Sequence, residues 1–244
     1  VQVDDTASAI GRFHTVDVGV LGDAAVTLRA LLGGLDTTAA TDQRPDVAAR
    51  WALWRAEKQR RARDDRGRGV SSAAVFAALS AHCPAEAVIT VDVGNHAYSF
   101  GRYFESAGQP VLMSGYLGSI GFGYPAALGA WSADPARPVV AVTGDGGFGQ
   151  YLAELTTAVL HGIPVKHVLL DNGALGKITK EQLAGALPVW RTALVNPDFA
   201  EYARSCGATG ITVRTGAELE SGMAALFAAD GPALLHVHAD GELH

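Results

Sequence analysis

Hydrophobic positions follow two alternating patterns along most of the chain, and this alternation predicts the fold. From Ser71 onward, nearly continuous apolar runs such as PVVAVTG and PVKHVLLDN are separated by segments with helical periodicity. Such runs are typical of parallel strands covered on both faces. The pattern predicts an α/β fold, a doubly wound and mostly parallel sheet with helices on both faces. The predicted helices cover 71–82, 121–132, 148–161, 176–184, 198–205 and 216–228. The predicted strands cover 87–93, 138–143, 164–170, 208–213 and 232–238, and a short apolar stretch lies at 110–113.

The first part of the chain follows a different pattern. Residues 1–35 contain one predicted strand, Val1–Asp4, and one predicted helix, about 23–32, which ends at a glycine pair. One strand and one helix bury too little apolar surface for a core, so we interpret 1–35 as the tail of a domain. Residues 36–70 lack apolar periodicity and are rich in Lys and Arg, which is typical of a solvated linker or helix face. A phosphate-binding or partner-docking patch is the alternative.

Composition narrows the classes of function. Of 244 residues, 48% are hydrophobic and 18% are charged, which favours a folded domain over disorder. The net charge of −6 argues against nucleic acid as a partner, because phosphate backbones are bound by basic faces. Cys83 and Cys206 have no metal-ligand spacing and are interpreted as free thiols in a cytoplasmic protein. No signal peptide is visible, and no apolar run approaches the ~20 residues of a membrane span.

Polar, glycine-rich turns follow three of the predicted strands. Because ligands bind beyond the carboxyl ends of the strands in such sheets, we expect these turns to gather at one edge. Asp145 offers a carboxylate oxygen, Asn172 an amide oxygen and Ala174 a backbone carbonyl oxygen, and these are ligands that Mg²⁺ prefers. Water and phosphate oxygens typically complete the shell of this ion. The turns have the sequences DVGNH (92–96), GDGG (144–147) and DNGALG (171–176).

The turn after strand 138–143 also suits a diphosphate. Gly146 and Gly147 have no side chains, and a helix predicted to begin near Phe148 directs its N–H groups toward an anion. Two other interpretations stay open at this point. The turn is also compatible with a strand-to-helix connection capped by an Asp. GDGGFG loosely matches a dinucleotide fingerprint as well, and Asp171 ends the next strand, as a nicotinamide site requires.

The combination of motifs resembles the thiamine-diphosphate-dependent enzymes of the acetolactate synthase, pyruvate oxidase and pyruvate decarboxylase type. Gly144-Asp145-Gly146 followed by Asn172 is similar to their metal motif. The resemblance implies that 1–35 is the end of a central domain, 36–70 a linker and 71–244 the diphosphate-binding domain. Further segments that resemble this family are DVGNHAYSFGRYF (92–104), MSGYLGSIGFGYPAALGAW (113–131), NPDFAEYARSCGATG (196–210) and GPALLHVHAD (231–240).

The resemblance also implies roles for individual residues. Asp145, Asn172 and the Ala174 carbonyl would bind Mg²⁺. Ile120 would be the aliphatic residue that holds thiamine diphosphate in its bent, reactive form, and Glu181, with Ile178, would face the substrate. Asp171 departs from the Asn common in the family, and it either tightens the metal or caps the turn. The full set implied to bind the cofactor is Asn95, His96, Gly118, Ser119, Ile120, Gly144, Gly146, Gly147, Asn172, Leu175 and Gly176.

The activity implied by the resemblance is decarboxylation of a 2-oxo acid such as pyruvate, with transfer of the resulting enamine to a second 2-oxo acid. The alternatives are a pyruvate-oxidase-like flavoenzyme, which GKITKEQ (176–182) resembles, or a non-catalytic subunit that stabilises a partner. The family's catalytic glutamate belongs to a pyrimidine-binding domain without a counterpart here. We therefore expect a piece of a longer chain or a separate subunit, which begins at Val1 rather than Met, in a homo- or hetero-oligomer. The resemblance leaves room for FAD in the intact protein.

Overall fold

The computed structural model describes residues 1–36 and 41–243, and its contacts divide the chain into two compact units, Val1–Trp51 and Ala52–His244. The predicted linker therefore falls partly outside the described residues. In the smaller unit, the predicted strand and helix are both present. Strand β1 (Gln2–Asp4) pairs in parallel with β2 (Gly19–Leu21), which the sequence pattern did not predict. Helix α1 (Ala24–Gly34) begins after Asp23, whose carboxylate accepts the Val26 amide as an N-cap.

Helix α2 (Arg44–Ala62) occupies most of the segment interpreted as a linker or a helix face. Its sequence is rich in Ala and Arg, which favour helix, and Glu57 pairs with Arg60 and Arg61 one turn later. Lys58 is buried and binds Glu105 at 3.1 Å within the larger unit. A helix thus forms here without the apolar stripe that sequence patterns use to detect one.

The larger unit confirms the predicted fold. Its six strands form one parallel sheet in the order β4-β3-β5-β6-β8-β7. Helices α3, α4 and α10 cover one face, and α5, α7 and α9 cover the other. The strands are β3 (Val88–Val91), β4 (Val111–Met113), β5 (Val139–Gly144), β6 (Lys166–Asp171), β7 (Thr209–Val213) and β8 (Ala233–His238). The helices are α3 (Ser72–His82), α4 (Asn95–Tyr103), α5 (Gly123–Ala133), α6 (Asp145–Phe148), α7 (Glu154–Leu160), α8 (Gly176–Ala184), α9 (Phe199–Ser205) and α10 (Gly216–Ala228).

The continuous apolar strands supply both cores at once. All residues of β5 are buried, and in β8 Leu234 packs into one core while Leu235 and Val237 pack into the other. Successive side chains of a strand point to opposite faces, so a strand covered on both faces must be apolar throughout. The same burial keeps the ends of the strands in fixed positions.

Two predictions for the helices are corrected by the structure. The single helix predicted over 148–161 is wrong, because the chain turns helical at Asp145, directly after β5, and forms the separate helices α6 and α7. The glycines of GDGGFG are poor helix formers, and α6 ends at Phe148, directly before Gly149. Helix α4 was not predicted; it begins after Gly94, whose φ of +146° is accessible only to glycine at low cost.

The strand order creates a crevice at the carboxyl edge of the sheet. From β3 the chain continues to β4 on one side, while β5 lies on the other side of β3. Such a reversal of strand order is where open α/β sheets bind ligands. The turns that follow β3, β5 and β6 all reach this edge. No helix of the described residues has the length and apolar character that crossing a bilayer demands.

Candidate active site at the carboxyl edge of the sheet

A cavity of about 340 Å³ opens at this edge, and the three polar turns line it. All of the site residues predicted from the sequence contribute to its wall except Ser119, which is exposed outside it. The structure therefore brings together residues that are far apart in the chain. The predicted residues on the wall are Asn95, His96, Gly118, Ile120, Gly144, Asp145, Gly146, Gly147, Asn172, Ala174, Leu175, Gly176 and Glu181.

The turn after β6 presents its oxygen atoms in a fixed conformation. The side-chain oxygen of Asn172 accepts the Ala174 amide at 3.1 Å, which closes a tight turn. Ala174 also forms an antiparallel bridge with Ala193, held by hydrogen bonds from Leu175 to Thr192 and from Leu194 to Gly173. The Ala174 carbonyl takes part in neither of these two bonds, which leaves it available to a ligand.

A network of side chains joins this turn to Asp145. The Asn196 amide donates to Asp145 at 2.7 Å and to Asp171 at 2.8 Å, and Asp171 also binds His236 at 2.9 Å. Asp171 accepts the Gly173 amide as well, so it caps the turn. This bond fits the capping role expected for Asp171, and its role at the metal stays a prediction.

Burial and this network set the ionisation of the two carboxyl groups. Burial raises the pKa of Asp145 to about 6, although the hydrogen bond from Asn196 opposes the rise. Burial would also raise the pKa of Asp171, but hydrogen bonds from His236, Gly173 and Asn196 outweigh it and lower that pKa. Asp171 therefore keeps its negative charge to lower pH than Asp145, which takes up a proton below about pH 6.

Close packing around Gly147 and Gly176 leaves no space for side chains. A Cβ atom on Gly147 would lie 2.1 Å from a carboxylate oxygen of Asp92, and one on Gly176 would lie 2.5 Å from the Asn95 amide nitrogen. Both glycines line the cavity without a side chain. A diphosphate can bind only where side chains do not keep it away from the backbone.

Two buried nitrogen atoms at the wall have no protein partner. They are the side-chain amide nitrogen of Asn95 and Nε2 of His96. Burial lowers the pKa of His96 to about 4, so its ring is neutral near pH 7. Buried polar groups without partners are rare in folded proteins and indicate a place where a ligand makes the missing hydrogen bonds.

The opposite wall is a loop that carries Gly118 and Ile120. The loop is fixed at its end by Asp92, which is fully buried and accepts the Gly121 amide at 2.9 Å. Burial raises the pKa of Asp92, and the amides that it binds act against that rise. Ile120 is partly buried and reaches the cavity wall.

Comparison with known proteins identifies the family. The sequence profile described as "Thiamine pyrophosphate enzyme, C-terminal TPP binding domain" matches residues 92–237, which is more than half of the chain. The chain belongs to this family. The match begins at Asp92 and ends one residue before the end of β8, so it includes all three turns that form the cavity.

Several curated proteins are similar to this member of the thiamine pyrophosphate family over much of its length. A thiamine pyrophosphate-containing protein of Bacillus subtilis (strain 168), YdaP, is 31% identical over 97% of the chain. The acetolactate synthase isozyme 2 large subunit of Escherichia coli (strain K12) is 35% identical over 72% of the chain, and the Haemophilus influenzae (strain ATCC 51907 / DSM 11121 / KW20 / Rd) acetolactate synthase large subunit is 33% identical over 91%. The chain spans 41%, 33% and 39% of these proteins, respectively.

Helix α8 places two further residues of this family member at the cavity. Ile178 and Glu181 both line the wall, yet both are exposed to solvent. Glu181 forms an ion pair at 2.7 Å with Lys177, which lies one helical turn earlier. The substrate-facing role of Glu181 therefore stays a prediction, since an exposed ion pair on a helix is also common without any function.

Sequence reasoning missed several residues that shape the site of this thiamine pyrophosphate protein. Asp92 anchors the Ile120 loop, Asn196 joins the two acidic turns, and Asp240 and Gly241 close the cavity from the end of the chain. Asp92 had a detectable signal, because an Asp that ends an apolar strand is a typical ligand-edge residue. Asn196 and the 240–241 segment carry no comparable signal, since their positions depend on the packing of distant elements.

Proposed function

We propose that the chain is the diphosphate- and magnesium-binding part of a thiamine-diphosphate-dependent enzyme. The enzyme would decarboxylate a 2-oxo acid such as pyruvate and transfer the remaining unit to a second 2-oxo acid. The observation that carries this proposal is the cavity that joins Asp145, Asn172 and Ala174 at one strand edge. The acetolactate synthase names of its relatives support the reaction type.

The residues present fit a magnesium ion. Asp145 offers a carboxylate, Asn172 an amide oxygen and Ala174 a carbonyl, which are hard oxygen donors. Mg²⁺ would bind the ionised carboxylate of Asp145, whose pKa of about 6 lies below neutral pH, and Asn196 would continue to hold that carboxylate in position. The open positions of the ion suit phosphate oxygens and water.

The surroundings fit a diphosphate in the same way. Gly146 and Gly147 line the cavity at the start of α6, and so do Asn95 and His96, each of which has a buried nitrogen without a partner. Neutral His96 offers either a hydrogen bond donor or an acceptor, depending on its tautomer. These groups would orient the anion, while the ion would neutralise most of its charge.

When bound, thiamine diphosphate supplies a carbon nucleophile for the carbonyl of the 2-oxo acid and a charged ring that accepts the electrons left by CO₂. Ile120 would hold the organic part of the cofactor in its bent form by packing against it, and it would exclude water. Asp92 would act through Ile120, because it fixes the Gly121 end of that loop. We assign no proton transfer to residues of this chain.

The proposed enzyme needs a second component. A pyrimidine-binding domain, either from another subunit or from another part of the same protein, would supply the glutamate that activates the cofactor. We propose a cytoplasmic homo- or hetero-oligomer for this reason. FAD is proposed here for the oxidase-like alternative. In that alternative Ile178 and Glu181 would line the substrate site, and their position at the cavity supports it.

The function can be tested on the native complex, purified through a tag on this chain. Intact mass identifies the partner and any bound cofactor, and assays with pyruvate, thiamine diphosphate and Mg²⁺ measure CO₂ and products. We expect CO₂ and an acetohydroxy acid, both lost in an Asp145→Ala complex. Acetate formed with consumption of an oxidant would favour the oxidase-like enzyme. Cofactor binding without CO₂ release would indicate a non-catalytic subunit, and absence of cofactor binding would refute the proposal.

A further inference from the structure

Behind the acidic turns, two histidines and an aspartate converge at the ends of β6 and β8. His236 and His238 are two residues apart on β8, so their side chains project from the same face of the sheet. Asp171 is the register partner of His238 on β6. The side chains of all three offer ligand atoms within 4.8 Å of one another, and the two imidazole centroids are 4.3 Å apart.

The histidines of this cluster carry nitrogen atoms without hydrogen bond partners in the protein. His236 is 1% exposed, its Nε2 binds Asp171, and its Nδ1 has no hydrogen bond. His238 is half-buried, and its Nε2 is buried and unpartnered as well. A carboxylate oxygen of Asp198 lies 3.7 Å from Nδ1 of His236. Two unused imidazole nitrogens in one place call for an explanation.

The short contact between Nε2 of His236 and the carboxylate of Asp171 marks the place for an ion. An ion that replaces the proton between them would be bound by Nε2 and by a carboxylate oxygen, and Nδ1 would then carry the proton of the ring. Asp198, 3.7 Å from Nδ1, would support the ring from that side, as carboxylates typically do for a metal-ligating imidazole. Imidazole nitrogen with carboxylate oxygen is a donor set that suits zinc and related transition metals rather than Mg²⁺.

We propose that His236 and His238, together with the carboxylate of Asp171, bind a divalent transition-metal ion of the zinc class at a site next to the oxygen-lined magnesium turn. The ion would join the ends of β6 and β8. The ion would therefore hold Asp171 in position. Through the hydrogen bonds of Asn196, it would also stabilise the position of Asp145.

The proposal can be tested with Co²⁺, which reports its coordination in the visible spectrum. The full chain is first stripped with a chelator and then titrated without thiamine diphosphate. We expect one equivalent to bind with the intense bands of a four- or five-coordinate nitrogen site, and Zn²⁺ but not excess Mg²⁺ to displace it. His238→Gln is expected to weaken binding by at least about tenfold. The Asp145→Ala variant and the exposed-histidine control His161→Gln should bind Co²⁺ as the unchanged chain does.

The opposite pattern would overturn the proposal. If Asp145→Ala abolishes Co²⁺ binding while His238→Gln leaves it unchanged, the ion occupies the magnesium turn, and the histidines only form structural hydrogen bonds. X-ray absorption of the zinc-loaded, unsubstituted chain gives a second measurement that does not depend on the folding of a variant. Two imidazoles in the zinc shell would support the site, and a shell without imidazole would refute it.

Discussion

The two walls of the cavity differ in how firmly the protein holds them. On the metal side, Asp145 is 3% exposed and Asn196 ties it to Asp171. On the loop side, Tyr116 is 97% and Leu117 80% exposed. The metal side is built from the ends of central strands, whereas the loop is anchored mainly where Gly121 meets Asp92. We infer that binding of Mg²⁺ and diphosphate is a property of this chain, while the shape of the organic half depends on what packs on the loop.

The largest effect is expected for Asp145→Ala. The variant removes the only carboxylate of the proposed magnesium set, so thiamine diphosphate affinity with Mg²⁺ should fall well beyond the roughly 10–100-fold that loss of a supporting residue costs. Isothermal titration with the cofactor, with and without Mg²⁺, measures this. Asp230→Ala removes an exposed carboxylate at the amino end of β8 and serves as the matched control. Equal affinity in both variants would refute the assignment of Asp145.

Acid is expected to destabilise the metal side next. Burial lowers the pKa of His96 to about 4 and that of His167, which binds Thr143 of β5, to about 3. A lowered histidine pKa contributes stability that is present above about pH 6.5 and is lost as the pH falls toward the folded value. Between pH 7 and 5, each imidazole should therefore reduce the free energy of unfolding by about 2 kcal/mol.

Denaturant unfolding as a function of pH measures this loss. The slope of the free energy of unfolding against pH, between pH 7 and 5, should become shallower in His167→Gln. The variant lacks one imidazole that takes up a proton in the unfolded state but not in the folded state. Replacement of the exposed His161 by Gln should leave the slope unchanged. A His167→Gln slope equal to that of the original chain would contradict the assignment of part of the acid sensitivity to buried His167.

Glycine substitutions compare the rigidity of the two walls directly. Gly147→Ala places a methyl group against buried Asp92 and should cost about 1–3 kcal/mol of stability, as overpacking does. Gly118→Ala meets no atom within 4 Å, so its cost should be only that of its φ of +61°, about 1 kcal/mol. Thermal or urea unfolding of both variants gives the comparison. A larger loss for Gly118→Ala would reverse our view of the two walls.

The smallest effect is expected for the affinity of Ile120→Ala for inorganic diphosphate. Inorganic diphosphate with Mg²⁺ contacts the metal side, so its affinity should match that of the unsubstituted chain. Binding of complete thiamine diphosphate should weaken, because Ile120 is proposed to pack against the organic part. Titration with both ligands separates the two halves of the site. A parallel loss for diphosphate and cofactor would show that the walls do not act separately.

The fold could be predicted from the sequence to the extent that it depends on local patterns. Apolar strands such as β5 and β6 are continuous runs, and the polar turns after them are visible as breaks in those runs. What the pattern missed depends on tertiary packing. Helix α2 has no apolar stripe to predict it. The pattern predicts a turn at GDGG, although its Asp begins α6.

The site shows the same division. Asp145 and Asn172 lie directly after strands, so parallel topology alone predicts that they meet at one edge. Asn196 lies in an irregular segment, and only the way that segment folds back places its amide between two carboxylates. The unused nitrogens of His236 and His238 could not be foreseen either, because alternating histidines on a strand predict a shared face but not the absence of partners.

Pulsed electron–nuclear resonance on the chain loaded with Mn²⁺ in place of Mg²⁺ most directly tests whether the strand-end turns hold an ion that grips a diphosphate. With thiamine diphosphate added, we predict a strong coupling between Mn²⁺ and phosphorus in the original chain. The coupling should disappear in Asp145→Ala at the same metal and cofactor concentrations. A manganese signal without phosphorus coupling, or one that is unchanged in Asp145→Ala, would contradict the proposed site.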